Sequence, residues 1–597
     1  MAHKRLALIG WLTLTLLLLI IAVLALLIFG RGARLQAAAL EQRLRSMPYY
    51  QYERGDILDR QGRPLVNLEE SCLVVLPAML QGREEETAAA LSRLLGIGET
   101  AARERLEQAA AAPGQPQVLL TGLTAEQIGR IEEAALPGVL ALTLAARYDR
   151  QHTACQLLGS VQQTSEGGWQ GVSGLERQYD SLLSARQDAE LRLQVDARGS
   201  LSREAELYRP GQTRVPTLCL TLDRDYQQIA EQALAESGLA GSCVILDPQN
   251  GDILALASWP LFDPYGWQPA ADGAYLQRAL QLYPPASTFK TVLAAAALTE
   301  GVTPESGRSP SDAPAGETAA PDAGDAVDTG ETDNSRTENG ETEAPADTTD
   351  AADADGAAGT FVCTGSCTLP DGRTVSCAGG QAHGEVDLSR ALALSCNCCF
   401  VALGQALGGE ELREYCRRLL PEELTVIGLE LPEASGCRLE FRAEQAGELA
   451  NVCLGEDGIG VSPLQEAVLF SVFVNGGRLV TPRLVTAVDD GAGGRRDFPA
   501  AVPRQVLEPE TAEELRRMLT GVVEDGTGAA ARGLWVSAGG KTGSSETGTV
   551  WFSGFFPAER PRLTVTVCLE QGSSGGTEAA AVFRQVADAI TLLDGGG

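Results

Sequence analysis

Residues Leu6 to Phe29 form an almost unbroken apolar run of 24 residues, preceded by His3, Lys4 and Arg5 and followed by Arg31 and Arg34. A helix of that length spans a bilayer. The sequence therefore predicts one transmembrane signal anchor over residues 6–29, with residues 1–5 as a cytoplasmic stub. A cleaved secretion signal is the alternative, but it would have a shorter apolar core followed promptly by a small-x-small site. Basic residues on the two flanks nearly balance, so orientation rests on how little chain precedes the run. The reading is a single-pass protein of the cytoplasmic membrane with its globular mass on the extracytoplasmic side.

A chain of 597 residues, 44% hydrophobic, is long enough for more than one core. Its formal net charge of -32 argues against nucleic acid as a partner, because phosphate binding needs a basic stripe and none is visible. Fourteen cysteines in an exported chain suggest a disulfide framework, yet here they are scattered. Cys243 in Gly-Ser-Cys-Val-Ile-Leu-Asp and Cys568 in Val-Thr-Val-Cys-Leu sit in strand-like runs, where cysteine acts as a small buried hydrophobe.

After the anchor, Leu35 to Met47 reads as a short polar helix, and Arg54 to Val66 as strand, turn and strand. Up to about residue 215, Ala/Glu/Arg helices such as Glu84 to Leu95 and Ala101 to Ala111 alternate with short strands, and no set of catalytic residues stands out. From Leu218 the texture changes. Thr221-Leu222-Asp223 opens a helix through Leu234, and Cys243 to Ser258 gives two strands joined by Pro248-Gln249-Asn250-Gly251. This predicts an α+β chain with a first globular domain over 30–214 and a second over 215–597. Between Thr303 and Gly356 there is almost no large apolar residue, and 15 acidic residues stand against Arg308 and Arg336. Such a segment cannot bury enough surface to offset its ordering entropy, so residues 303–358 read as a disordered acidic insertion.

Among 47 basic residues only Lys4, Lys290 and Lys541 are lysine. Lys4 lies at the membrane edge; the others fall in Ser287-Thr288-Phe289-Lys290 and Lys541-Thr542-Gly543. Arginine does not lose its proton in a protein, whereas a buried lysine can, so the placement points to amines that must ionise. Composition bias would explain the scarcity of lysine but not where the survivors stand. A Ser-His-Asp triad would have to use His152 or His383, and neither lies in a nucleophile-elbow context. Ser287 instead opens the apolar helix Thr288 to Leu298, with Lys290 three residues on and on the same face. The helix N-terminus favours negative charge on the serine oxygen, and desolvation beside a second cation lowers the lysine pKa.

A lone Ser-x-x-Lys is weak evidence; its order with two more motifs is strong. Ser395-Cys396-Asn397 follows 108 residues after Ser287, and Lys541-Thr542-Gly543 another 146 residues on, before the strand-like Thr549 to Phe552. These are the three motifs of penicillin-recognising serine enzymes. Over nearly its whole length the chain resembles the class B penicillin-binding proteins, the peptidoglycan D,D-transpeptidase family. Further landmarks are Arg54 to Val66, Gly174-Leu175-Glu176 with Tyr179, Thr221-Leu222-Asp223, Leu246-Asp247-Pro248 with Gly251 to Ala255, Ser462-Pro463-Leu464-Gln465 and Asn475-Gly476-Gly477.

The resemblance implies an elongated, dimerisation-like pedestal after the anchor, then a transpeptidase domain with a five-stranded antiparallel sheet flanked by helices. It implies that Ser287 attacks the D-Ala-D-Ala carbonyl of a peptidoglycan stem peptide or a β-lactam, with Lys290 as base, and that an amine of a neighbouring stem peptide resolves the acyl-enzyme. Ser395 would relay protons and Asn397 would hold a substrate amide. Lys541, Thr542, Gly543 and Ser544 would hold the terminal carboxylate, and the backbone N–H groups of Ser287 and Ser544 would form the oxyanion hole. A membrane glycan polymerase and divisome or elongasome proteins are the implied partners. Three departures stand out: Ala286 replaces the usual glycine before the nucleophile, Ser544-Ser545-Glu546 a Thr-Ala start, and Glu456-Asp457 the usual glutamine before Ser462. A β-lactam hydrolase or sensor could share the motifs, and a scaffold for a polymerase the architecture. A hydrolase has no use for a pedestal, a sensor needs a cytoplasmic module, and a scaffold has no use for the full set of reacting side chains.

The chemistry requires no cofactor. A structural zinc is nevertheless expected from Cys363, Cys377, His383 and Cys396, because one imidazole and three thiolates make the closed tetrahedral set zinc prefers. Some class B relatives resemble this, with a carboxylate, histidine and cysteine zinc site in the same stretch. The alternative is a disulfide from Cys363 to Cys377 or Cys367, with His383 on the surface.

Overall fold

The computed structural model describes residues 2–47, 54–80, 82–110, 116–163, 169–184, 190–195, 201–208, 215–265, 269–303, 359–430 and 436–595. Apart from Thr303, the expected acidic insertion lies outside the described residues. The N-terminal apolar run lies within one helix, Ala2–Arg43, in which Ile9–Gly32 is long and apolar enough to cross a membrane. The separate polar helix expected over Leu35 to Met47 is not found. The first helix continues to Arg43, and Leu44–Met47 is a strand paired antiparallel with Glu190–Val195. Its partner is remote in sequence, and such pairing overrides local propensity.

In the pedestal, Leu68–Val75 is the middle strand of an antiparallel sheet between Gln117–Leu120 and Val139–Ala146. Successive side chains leave opposite faces of a strand. Leu73 and Val75 therefore pack on Leu91, Leu106 and Ile131 of three helices, Glu84–Leu95, Glu99–Ala110 and Ala125–Ala134, whereas Cys72 and Val74 turn the other way toward Leu144. The Arg54 and Glu176 landmarks belong to one buried ionic knot. Arg54 and Arg147 each hold one oxygen of the fully buried Glu176 carboxylate, the latter at 2.6 Å, and Arg54 reaches Asp180 at 2.8 Å. Beside it Asp56–Leu58 pairs with Thr217–Leu220, which pairs with Val485–Asp489, tying the pedestal to the second domain through one sheet.

The second domain is built on five antiparallel strands in the spatial order Ile253–Trp259, Gly241–Leu246, Leu563–Leu569, Val550–Phe556, Gly539–Ser544. They are buried on both faces because helices cover both. Cys243 and Ile245 meet Tyr226, Leu234 and Phe583 of the helices Arg224–Ser237 and Ala580–Gly595, and Val244 and Leu246 meet Leu464 and Val468 of Pro463–Val474. Asp223 caps its helix by accepting from the backbone N–H groups of Asp225 and Tyr226, as Thr-Leu-Asp predicts. Gly251, at φ +81°, turns the first two strands where a Cβ would meet Thr481 O at 2.4 Å. The last strand in that order, Gly539–Ser544, lies against the turn Ala286–Phe289 that leads into Lys290.

Candidate active site

The Pro284-Pro285 step feeds a tight 3-10 turn, Ala286–Phe289, that runs straight into the helix Lys290–Glu300. Ser287 is half-buried in that turn and Lys290 fully buried one turn on. Ala286 sits at φ +50°, a left-handed conformation that costs an L-residue roughly 1–2 kcal/mol. Its N–H donates to Gly455 O at 2.7 Å, and a Cβ on Gly455 would lie 2.0 Å from Ala286 O. The turn is therefore held in its strained form by a neighbour that can only be glycine.

The second motif reaches Lys290 through Ser395, itself at φ +54°. Lys290 Nζ donates to Ser395 O at 2.9 Å, Ser395 Oγ at 3.2 Å and Asn397 Oδ1 at 2.6 Å. Asn397 opens the helix Asn397–Leu407 and donates through Nδ2 to Ser376 O at 2.8 Å. Lys541 Nζ donates to the same Ser395 Oγ at 3.1 Å and to Thr542 O at 3.0 Å, and Thr542 Oγ1 meets Thr527 Oγ1 at 2.8 Å. A Cβ on Gly543 would come 2.9 Å from Pro285 O, which is how closely the third-motif strand lies along the nucleophile turn. Ser544 is exposed at the strand end, its Oγ accepting from Gly575 N at 2.9 Å. Lys290, Ser395, Asn397, Lys541 and Thr542 thus meet through hydrogen bonds, while Ser287 lies in the turn against which Gly543 packs and Ser544 stands at the strand end. The Lys290 amine is directed at Ser395 and Asn397 rather than hydrogen-bonded to Ser287.

Burial pushes the Lys290 amine down to about 8. Lys541 is held well below the ordinary lysine range by burial and then by the charge of Lys290. Sequence reasoning missed the residues that seat this pair. Phe400 stands 5.7 Å from Lys290 Nζ, and Trp551 Nε1 donates to Pro284 O at 2.9 Å, fastening the sheet to the nucleophile turn. Neither carries a motif signal, because an aromatic in an apolar run reads as core.

Beneath the second motif, the ligand atoms of Cys363, Cys377, His383 and Cys396 all lie within 4.8 Å of one another. Cys363 Sγ is 3.6 Å from Cys377 Sγ and 3.4 Å from His383 Nδ1, and Cys377 Sγ is 3.8 Å from Cys396 Sγ. A tetrahedron with metal–sulfur bonds of about 2.3 Å has edges of about 3.8 Å, so the donor set fits zinc. The three cysteines are buried and unbridged. A fourth thiol, Cys398, lies 3.6 Å from Cys377 and was not anticipated.

Residues 241–317 and 374–588 match the penicillin binding protein transpeptidase domain, and residues 50–213 the penicillin-binding protein dimerisation domain. The chain is 27% identical to the stage V sporulation protein D of Bacillus subtilis, over 94% of this chain and 81% of that one. It is 26% identical to the peptidoglycan D,D-transpeptidase PbpA of Mycolicibacterium smegmatis, over 69% and 78%. In fold it is similar to the D,D-transpeptidase domain of a peptidoglycan glycosyltransferase from Eggerthella lenta, with a TM-score of 0.56 and 23% identity over 92% of this chain and 99% of that one. Two matched domains in the expected order, joined to three convergent motifs, place the chain among the class B penicillin-binding proteins, the peptidoglycan D,D-transpeptidase family.

Proposed function

We infer that the protein is a peptidoglycan D,D-transpeptidase that binds β-lactams and cross-links stem peptides through an acyl-enzyme on Ser287. One observation carries the reading: the Ser395 hydroxyl stands 3.2 Å from Lys290 Nζ and 3.1 Å from Lys541 Nζ, so the three motifs form one proton-handling unit. Lys290, neutral in a useful fraction because it is buried, takes the Ser287 proton as Oγ attacks the D-Ala-D-Ala carbonyl. Ser395 passes protons between that amine and the leaving D-alanine. Asn397 fixes Lys290 and offers its amide to the substrate; Lys541, Thr542, Gly543 and Ser544 receive the terminal carboxylate. The N–H groups of Ser287 and Ser544 face the developing oxyanion, worth a few kcal/mol per donor.

The catalytic domain lies on the extracytoplasmic side of the membrane, where its substrate is, with a membrane glycan polymerase and divisome or elongasome proteins as partners. Cys363, Cys377, His383 and Cys396 would hold a structural zinc, and by sharing it they would pin the stretch before Ser395, Cys396 being buried between Ser395 and Asn397. Purified full-length protein incubated with a fluorescent penicillin tests the activity: the label is retained for many minutes by wild type and absent from Ser287→Ala. Rapid turnover of the label would instead favour a hydrolase, and no label at all a scaffold.

A further inference from the structure

The two cleft lysines account for the anionic donor and leave the second substrate, a cationic amine, without a recognition group. Glu456 stands where it could be met. The residue before it, Gly455, is bonded to Ala286, the residue before the nucleophile. Its own carboxylate accepts at 3.4 Å from the N–H of Glu546, two residues beyond Ser544. Glu456, itself half-buried, thus bridges from the nucleophile turn to the turn that joins the strands Gly539–Ser544 and Val550–Phe556. The charged groups acting on it are Glu546, Asp457 and, most weakly, Lys290, and among the described residues no arginine or lysine forms an ion pair with it. A half-buried carboxylate without a counter-ion, beside two exposed acidic side chains, is a seat for a cation.

We propose that Glu456 binds the ammonium of the acceptor stem peptide and takes its proton, so that the amine enters the acyl-enzyme as a nucleophile. The proposal rests on the transpeptidase reading and deepens it. The step balances: the acceptor ammonium gives one proton to the Glu456 carboxylate, and the freed nitrogen lone pair forms a C–N bond to the Ser287 ester carbonyl. The C–O bond to Ser287 breaks, the second amine proton returns through Lys290 and Ser395 to Ser287 Oγ, and Glu456 releases its proton to water. Burial, with Glu546 and Asp457 nearby, pushes the Glu456 carboxyl up to about 7, which matches it to proton transfer near neutral pH. The glutamine usual at this position could seat an amine but could not accept its proton.

Full-length enzyme in detergent, acylated by a thioester analogue of the D-Ala-D-Ala donor, is partitioned between water and two acceptors. One is a stem peptide with a side-chain ammonium; the other is the same peptide with an aminooxy group, neutral at pH 7. Glu456→Gln should lower aminolysis by the ammonium peptide about tenfold or more relative to the aminooxy peptide, and Glu456→Asp should recover part of it. The wild-type ratio of ammonium aminolysis to hydrolysis should also rise with pH through a group titrating near 7, and that limb should vanish in Glu456→Gln. Equal losses with both acceptors, or the same pH limb in wild type and Glu456→Gln, would overturn the proposal. Wild type that forms no acyl-enzyme would instead overturn the transpeptidase reading beneath it.

Discussion

Lys290 and Lys541 share one hydroxyl: both amines donate to Ser395 Oγ, at 3.2 Å and 3.1 Å, although each reaches it from a different element. Two buried cations that close cannot both keep full protonation cheaply, so the charge of Lys290 adds to burial in loosening the hold of Lys541 on its proton. A buried amine pair this close suits the lysine base proposed for Ser287.

Acylation should follow that base. Lys290 is pushed down to about 8 by burial, and its active form is the neutral amine, so the active fraction grows as pH rises through about 8 and is complete above it. The acylation rate by penicillin between pH 6 and 9.5 should climb to a plateau, and Lys290→Arg should stay near zero throughout because arginine cannot deprotonate. Near-normal labelling of Lys290→Arg would rule out the lysine base.

Gly455→Ala should disable the nucleophile turn without unfolding the domain. The added Cβ meets Ala286 O at 2.0 Å, and φ +73° adds a left-handed penalty of about 1–2 kcal/mol. The expected result is a fall of about tenfold or more in acylation rate with a thermal midpoint lowered by only a few degrees. Wild-type acylation would show that the contact does not position Ser287.

The buried knot at the pedestal should matter far more than surface ion pairs. Glu176→Ala leaves the buried Arg147 guanidinium without a counter-charge and Arg54 with Asp180 alone, a loss of about 3–5 kcal/mol. Asp497→Ala breaks an exposed pair with Arg495 and should cost under about 1 kcal/mol. Denaturant unfolding of the two variants, compared with wild type, checks the contrast.

Protein purified without chelator should carry about one zinc per chain by elemental analysis, and His383→Ala should lower both the zinc content and the thermal midpoint. A metal-free protein with a protected cysteine pair, found by thiol counting after denaturation, would replace zinc by the Cys363–Cys377 disulfide.

The side chains that meet in the candidate site were legible because they sit in short motifs whose order is rigid, and because lysine is scarce enough here for Lys290 and Lys541 to stand out. The helix cap at Asp223 and the turn at Gly251 were legible for local reasons. The strand Leu44–Met47 was not, since its partner Glu190–Val195 is remote and nothing local marks it. Nor were the neighbours that seat the site. Phe400 and Trp551 look like core residues, and Gly455 declares its role only when Ala286 is packed against it. The sequence flagged Glu456 as a departure, but only its bridge to Glu546 suggests what the departure does.

The proposed transpeptidation passes through an acyl-enzyme on Ser287. Mass spectrometry of full-length protein incubated with benzylpenicillin, before and after proteolysis, tests it most directly. One added penicilloyl group per chain is expected, confined to the peptide containing Ser287 and lost in Ser287→Ala. An adduct on any other residue, or an unmodified wild-type chain, would contradict it.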